Sequence, residues 1–191
     1  MTPRPSSASK RNEVKVWDRA VRSLHWALAA TVVAAWASGG RAALPPDVHD
    51  VLGYVAGAIV AARLVWGFAG SRFARFSQFV RGPTVTWGYL RDVLKGRDTR
   101  HVGHNPLGGW MVILLLGCVA ALSVTGILYT TDWLWGYEWL YRLHVALGWL
   151  ILGLVAMHVL GVLFTSWQHR ENLVRAMITG DKKEPQDRDL T

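Results

Sequence analysis

Four long, nearly uncharged apolar runs punctuate the chain, from Leu24 to about Gly40, Val51 to about Ala69, Leu107 to about Thr130 and Leu143 to about Trp167. Each reaches or approaches the roughly 20 residues that a helix needs to cross a bilayer. Small residues lie inside them (Ala34 to Gly40, Gly53, Gly57, Gly148, Gly153), which suits close packing of membrane helices. The pattern predicts an all-α integral membrane four-helix bundle over residues 14–180, with spans at about 24–40, 49–69, 106–130 and 142–167. Pro45 and Pro46 part the first two spans, and Asn105 before Pro106 reads as the capped start of the third. Residues 69–105 leave room for a short helix around Val85 to Leu94. Their Phe73, Phe76, Phe79, Trp87 and Tyr89, set among Arg72, Arg75, Arg81 and Arg91, predict a segment lying along the headgroups. The polar ends, residues 1–13 and 181–191, read as disordered tails.

Charge adds an orientation. Of 21 Lys and Arg, six lie in residues 1–23, seven in 69–105 and five in 166–191, whereas the two other loops hold only Arg41 and Arg142. The positive-inside rule places the three basic segments, and with them both termini, in the cytoplasm. The net charge of +8 thus reports topology, and a nucleic-acid partner loses its support. Three of the 11 Trp, Trp133, Trp135 and Trp139, form with Tyr137 and Tyr141 an aromatic belt in the outer loop. A basic stretch before an apolar run ending in small residues also resembles a signal peptide. The length of the preceding segment, and the His25–Trp26 pair opening the run, favour a retained helix. The single cysteine, Cys118, excludes a disulfide scaffold, a Cys-rich zinc site and covalent c-type haem, and reads as a small buried apolar residue.

Of seven histidines, four open or interrupt the apolar runs, where ionisable groups are costly and mark functional sites by default. His144 and His158 stand 14 positions apart on one helix, about 21 Å along its axis and on nearly one face. Topology puts His144 and His49 near the outer surface, His25 and His158 in the inner half. Only one pairing matches depth: His25 with His158, and His49 with His144. Two imidazoles from two helices at one level would hold a six-coordinate haem, and without C-x-x-C-H that haem is b-type. His49 and His144 each open an H-x-x-x-G-aromatic stretch, so Gly53 and Gly148 lie one turn along the same face, where a flat macrocycle would approach. Arg63, 14 positions after His49, falls near the depth of His25 and His158. It either pairs with inner haem propionates, joined by Arg22, or snorkels to the headgroups. His104, in Gly-His-Asn-Pro at the inner surface, is a candidate for handling quinone protons; His101 and His169 read as solvated or headgroup-facing.

These residues resemble the prokaryotic cytochrome b561 family, which includes the cytochrome b subunits of membrane-bound nickel–iron hydrogenases. The resemblance rests on Val16-Trp17-Asp18 with Arg22 to Trp26, His49 with Gly53-Tyr54, Arg63 to Phe68, Ala74-Arg75-Phe76, Gly103 to Gly109, and His144 to His158. It spans roughly residues 14–180. It implies a four-helix cytochrome with two haem b groups, ligated by His25, His49, His144 and His158, that passes electrons between the quinone pool and a partner. Hydrogenase subunits of the family typically carry a further hydrophobic helix at the C-terminus, in place of which this chain has a polar stretch after Gly180. The resemblance then favours a periplasmic c-type cytochrome or another periplasmic redox protein as partner, with ubiquinone or another quinone as exchangeable substrate. Two rivals stand beside this reading. One is a superoxide:ubiquinone oxidoreductase, disfavoured by outer loops that set Arg41 and Arg142 against Asp47, Asp132 and Glu138. The other is a non-redox membrane protein using intramembrane His for metal transport or assembly. The direction of electron flow, the quinone side and the oligomeric state, homodimer or not, are left open by the residues.

Overall fold

The computed structural model describes residues 13–39, 45–184 and 189. Four helices long and apolar enough to cross a membrane dominate it: α1 (Arg19–Ser38), α2 (Pro46–Ala69), α5 (Pro106–Tyr129) and α6 (Glu138–Gln168). Between α2 and α5 run a 3-10 turn (Arg72–Ala74) and the short helices α3 (Phe76–Phe79) and α4 (Pro83–Leu94); α7 (Leu173–Thr179) follows α6. The expected spans all appear. Three start earlier, at Arg19, Pro46 and Glu138, the first because Asp18 caps α1 by accepting from the Val21 amide at 2.8 Å. At 31 residues α6 is about 46 Å long and overshoots the roughly 30 Å hydrocarbon core. Asn105 caps α5 as expected, accepting from the Gly108 amide at 2.7 Å. Pro45 and Pro46 prove to be the start of α2; Arg41 and Gly40 lie outside the described residues.

The helices pack in a row, α1 along α2, α2 along α5 and α5 along α6, and α6 makes no comparable contact with α1 or α2. The shared core is Ala56 and Val60 of α2, Leu116, Cys118 and Val119 of α5, and Ile151 and Leu154 of α6. Cys118 is buried there as the sequence suggested. An open row leaves a cleft with α6 on one side and α1 and α2 on the other.

Residues at the polar ends depart from expectation. Glu13–Lys15 (β1) and Asp181–Lys183 (β2) pair as an antiparallel ribbon, which brings both ends of the described chain to one end of the bundle. Composition misses this because the ribbon is held by partners far apart in sequence. Glu171, 7% exposed, accepts from Arg100 at 2.9 Å and from the Lys183 amide at 3.0 Å, and lies 3.5 Å from Lys182 Nζ. Lys182, 5% exposed, donates to the carbonyls of His101 and Val102. Lys182, a buried cation from a stretch that reads as tail, and the buried anion Glu171 are thus the clasp of this end. Gly180 turns the chain into β2 at φ 93°, and a Cβ there would sit 2.6 Å from the Trp17 carbonyl, so only glycine fits.

The aromatic stretch of residues 72–79 also differs from expectation. Phe79 is buried, Phe73 and Phe76 are half-buried, and the segment folds against α2 and α5 instead of lying along headgroups. A Cβ on Gly67 of α2 would fall 2.1 Å from the Phe76 ring, so glycine is what admits it. Trp87, Val85 and Leu94 of α4 do face outward. His169 is not solvated: its Nε2 lies 3.2 Å from buried Asp98. His101 is half-buried against Tyr89, its Nδ1 3.0 Å from the Thr99 carbonyl.

Candidate functional site

Four histidines meet across the cleft in two pairs. His25 of α1 faces His158 of α6 with ring centroids 6.2 Å apart and planes inclined 55°. His49 of α2 faces His144 of α6 at 6.0 Å and 80°. Two imidazoles binding one ion from opposite sides, each through a nitrogen about 2.0–2.1 Å away, have centroids roughly 6 Å apart. Both pairs therefore stand at the separation that a shared metal ion requires. Among the described residues no third His, Cys, Asp or Glu joins either pair, so the donor set is two nitrogens. That suits a metal whose remaining positions are filled by a macrocycle and does not suit a bare ion.

The ribbon end of the bundle holds the His25–His158 pair, the other end the His49–His144 pair. The pair near the ribbon has neighbours rich in unsatisfied cationic groups. Arg63 is 7% exposed; one guanidinium nitrogen donates to the Ala74 carbonyl at 3.1 Å, the guanidinium lies 5.2 Å from the Phe76 ring centroid, and Nη1 has no partner. Arg63 is thus turned inward against the 72–79 segment. Arg22 donates to the Ile178 carbonyl and leaves Nε unpartnered. The His104 ring lies between Trp17 (centroids 4.6 Å) and Phe79 (4.5 Å) with Nδ1 sealed and unpartnered. Burial first, then the nearby Arg63 charge, push this imidazole well below its ordinary pKa. His104 is thus a neutral, enclosed group and not the surface proton carrier that its sequence context suggested. Among the described residues, the buried side-chain nitrogens lacking a partner are those of Arg22, Arg63 and His104. The two arginine nitrogens can only donate, and buried donors of this kind call for an acceptor such as a carboxylate.

At the other end the histidines are held from behind. His49 Nδ1 lies 2.9 Å from the Ala35 carbonyl of α1, and His144 Nδ1 lies 2.9 Å from Thr125 Oγ1 of α5. A carbonyl can only accept, so His49 carries its proton on Nδ1 and offers the Nε2 lone pair. A Cβ on Gly53 or Gly148, one turn along from the histidines, would meet nothing within 4 Å. Thr125 and Ala35, which no sequence pattern singled out, belong to this site. Thr125 was hidden because a hydroxyl in an apolar helix reads equally well as a backbone-bonded residue.

The chain matches the prokaryotic cytochrome b561 family over residues 16–180. It belongs to that family. It is also 25% identical over 228 residues to a probable Ni/Fe-hydrogenase B-type cytochrome subunit of Rhodobacter capsulatus, a match covering 95% of this chain and 86% of the relative. No solved structure matches it significantly. As a cytochrome b561, the chain is a multi-pass membrane protein that transfers electrons through haem b. The non-redox reading falls with that assignment.

Proposed function

We propose that this cytochrome b561 carries electrons across the bacterial inner membrane through two haem b groups, between the quinone pool and a periplasmic redox partner. His25 and His158 ligate the inner haem, His49 and His144 the outer one, and both termini face the cytoplasm. The two histidine pairs at 6.2 and 6.0 Å carry this reading. When bound, haem supplies the one-electron chemistry. The chain's own residues do the rest. Helix α6 spaces the two sites about 21 Å apart along its axis, from the 14 positions between His144 and His158. Gly53 and Gly148 leave room for a flat ring, Arg63 and Arg22 supply cations for the inner propionates, and the apolar helices exclude water. His104, neutral and enclosed, is a hydrogen-bond partner for a propionate or a quinone oxygen.

The partner is a c-type cytochrome or another periplasmic protein, reached at the outer pair. The relative named as a hydrogenase cytochrome subunit supports a protein partner in general. Arg142 is tied to Glu138 at 2.8 Å, so it offers little steering to a small anion such as superoxide. The test is electron exchange in proteoliposomes containing ubiquinone. Exchange with an externally added c-type cytochrome, unaffected by superoxide dismutase, is expected. Quinone reduction that appears only with a superoxide source would replace this reading by the superoxide:ubiquinone oxidoreductase.

A further inference from the structure

Thr125 sits one helix behind the outer histidine pair and is 7% exposed. Its hydroxyl lies 2.8 Å from the Ala121 carbonyl and 3.1 Å from the Leu122 carbonyl of its own helix, as well as 2.9 Å from His144 Nδ1. A hydroxyl has one proton and two lone pairs. Two backbone carbonyls, which can only accept, compete for that proton, so the oxygen meets His144 with a lone pair. The hydrogen bond therefore runs from His144 Nδ1–H to Thr125 Oγ1, which leaves Nε2 without a proton. His49 is fixed in the same sense by the Ala35 carbonyl. Among the described residues, neither His25 nor His158 makes a side-chain hydrogen bond, so this backing is confined to the outer pair.

We infer that Thr125 is a positioning residue that fixes the tautomer of His144 and, by accepting its Nδ1 proton, lowers the reduction potential of the outer haem. The inference rests on the assignment of His49 and His144 as ligands. A ligand imidazole that donates its second N–H to an acceptor becomes more basic and favours the ferric over the ferrous ion. Ala35 contributes the same effect from a main-chain carbonyl that no side-chain substitution removes. Thr125 is the adjustable half of the device. The inner pair lacks such backing and has Arg63 nearby, so both features set the outer haem below the inner one in potential, and electrons run downhill from the outer site to the inner.

The test is a redox titration of the purified, haem-loaded protein and of Thr125→Val and Thr125→Ser. The outer haem is identified as the one retained in His158→Ala. Thr125→Val should raise the midpoint of the outer haem by about 59 mV, a tenfold change in its one-electron equilibrium, with the inner haem unmoved. Thr125→Ser, which keeps the hydroxyl, should return it to the wild-type value. Where the valine variant fails to insert, Thr125→Ala provides the same comparison. In the wild type, hyperfine spectroscopy should find an exchangeable proton on Nδ1 of His144. An unmoved outer haem in Thr125→Val or Thr125→Ala, equal shifts of both haems, a serine variant that behaves like valine, or no such proton would each overturn the inference. A wild-type protein without bound haem would instead overturn the ligand assignment itself.

Discussion

Glu171→Gln removes the anion at the centre of the ribbon clasp while keeping the shape of the side chain. In the folded chain the Glu171 carboxylate faces Arg100 at 2.9 Å and Lys182 at 3.5 Å, with side chains only 6%, 14% and 4% exposed respectively. Removing one partner of such a buried pair costs about 3–5 kcal/mol, because the remaining charge is left uncompensated. Asp189 stays beside Arg100 and absorbs part of that, which places the cost near the lower limit. A loss of about 3 kcal/mol is roughly a 150-fold change in the opening equilibrium. The amides to watch are Val16 and Trp17, which bond the Gly180 carbonyl, and those of the β1–β2 ribbon. Hydrogen exchange of these amides in detergent should speed up by about two orders of magnitude, while amides in the middle of α5 keep their rates. The pH dependence has a fixed sign. Burial raises the Glu171 carboxyl, but the hydrogen bond and charge of Arg100 and Lys182 outweigh it and hold the group below its ordinary value. Its contribution is therefore present above the unfolded pKa of about 4.3 and lost as pH falls through the lowered folded value. Exchange at the ribbon of the wild type should accelerate in acid through that step, and the variant should lack it. Exchange within twofold of wild type at neutral pH would show that the buried charges contribute nothing net and refute the reasoning.

Three further outcomes are expected. His158→Ala should lose one haem of two and leave the outer haem's spectrum and midpoint intact; loss of the outer haem alone would mean that the pairs are misassigned. Arg63→Leu should lower the midpoint of the inner haem by roughly 60 mV or more, a tenfold change in the one-electron equilibrium, by removing a buried cation; potentiometry that finds it unmoved would separate Arg63 from the propionates. Gly148→Leu fills space that a Cβ finds empty and should displace the outer haem, measured as half the haem content, whereas a leucine accommodated at full haem content would mean that Gly148 faces lipid.

Periodicity and charge made the membrane helices legible, because a bilayer forces about 20 apolar residues on each span whatever the rest of the chain does. The histidine pairing was legible for a related reason: once a span has a direction, sequence position is depth, and depth left one matching. What the sequence did not disclose depends on contacts between distant residues. Lys182 and Glu171 look like solvated charges until Arg100 and the carbonyls at 101–102 are placed around them. Phe76 and Phe79 look like headgroup anchors until Gly67 opens a seat for one and His104 stacks on the other. His104 itself reads as a surface group until Trp17 and Phe79 close over it. Thr125 shows the finest case, since its role depends on the direction of one hydrogen bond across a helix interface.

The central claim is that two haem b groups sit in this chain, one on each histidine pair. A reduced-minus-oxidised visible spectrum of the purified protein, with pyridine haemochrome quantitation, tests it directly. Two haem b per chain is the predicted result; one per chain, or none, would contradict it.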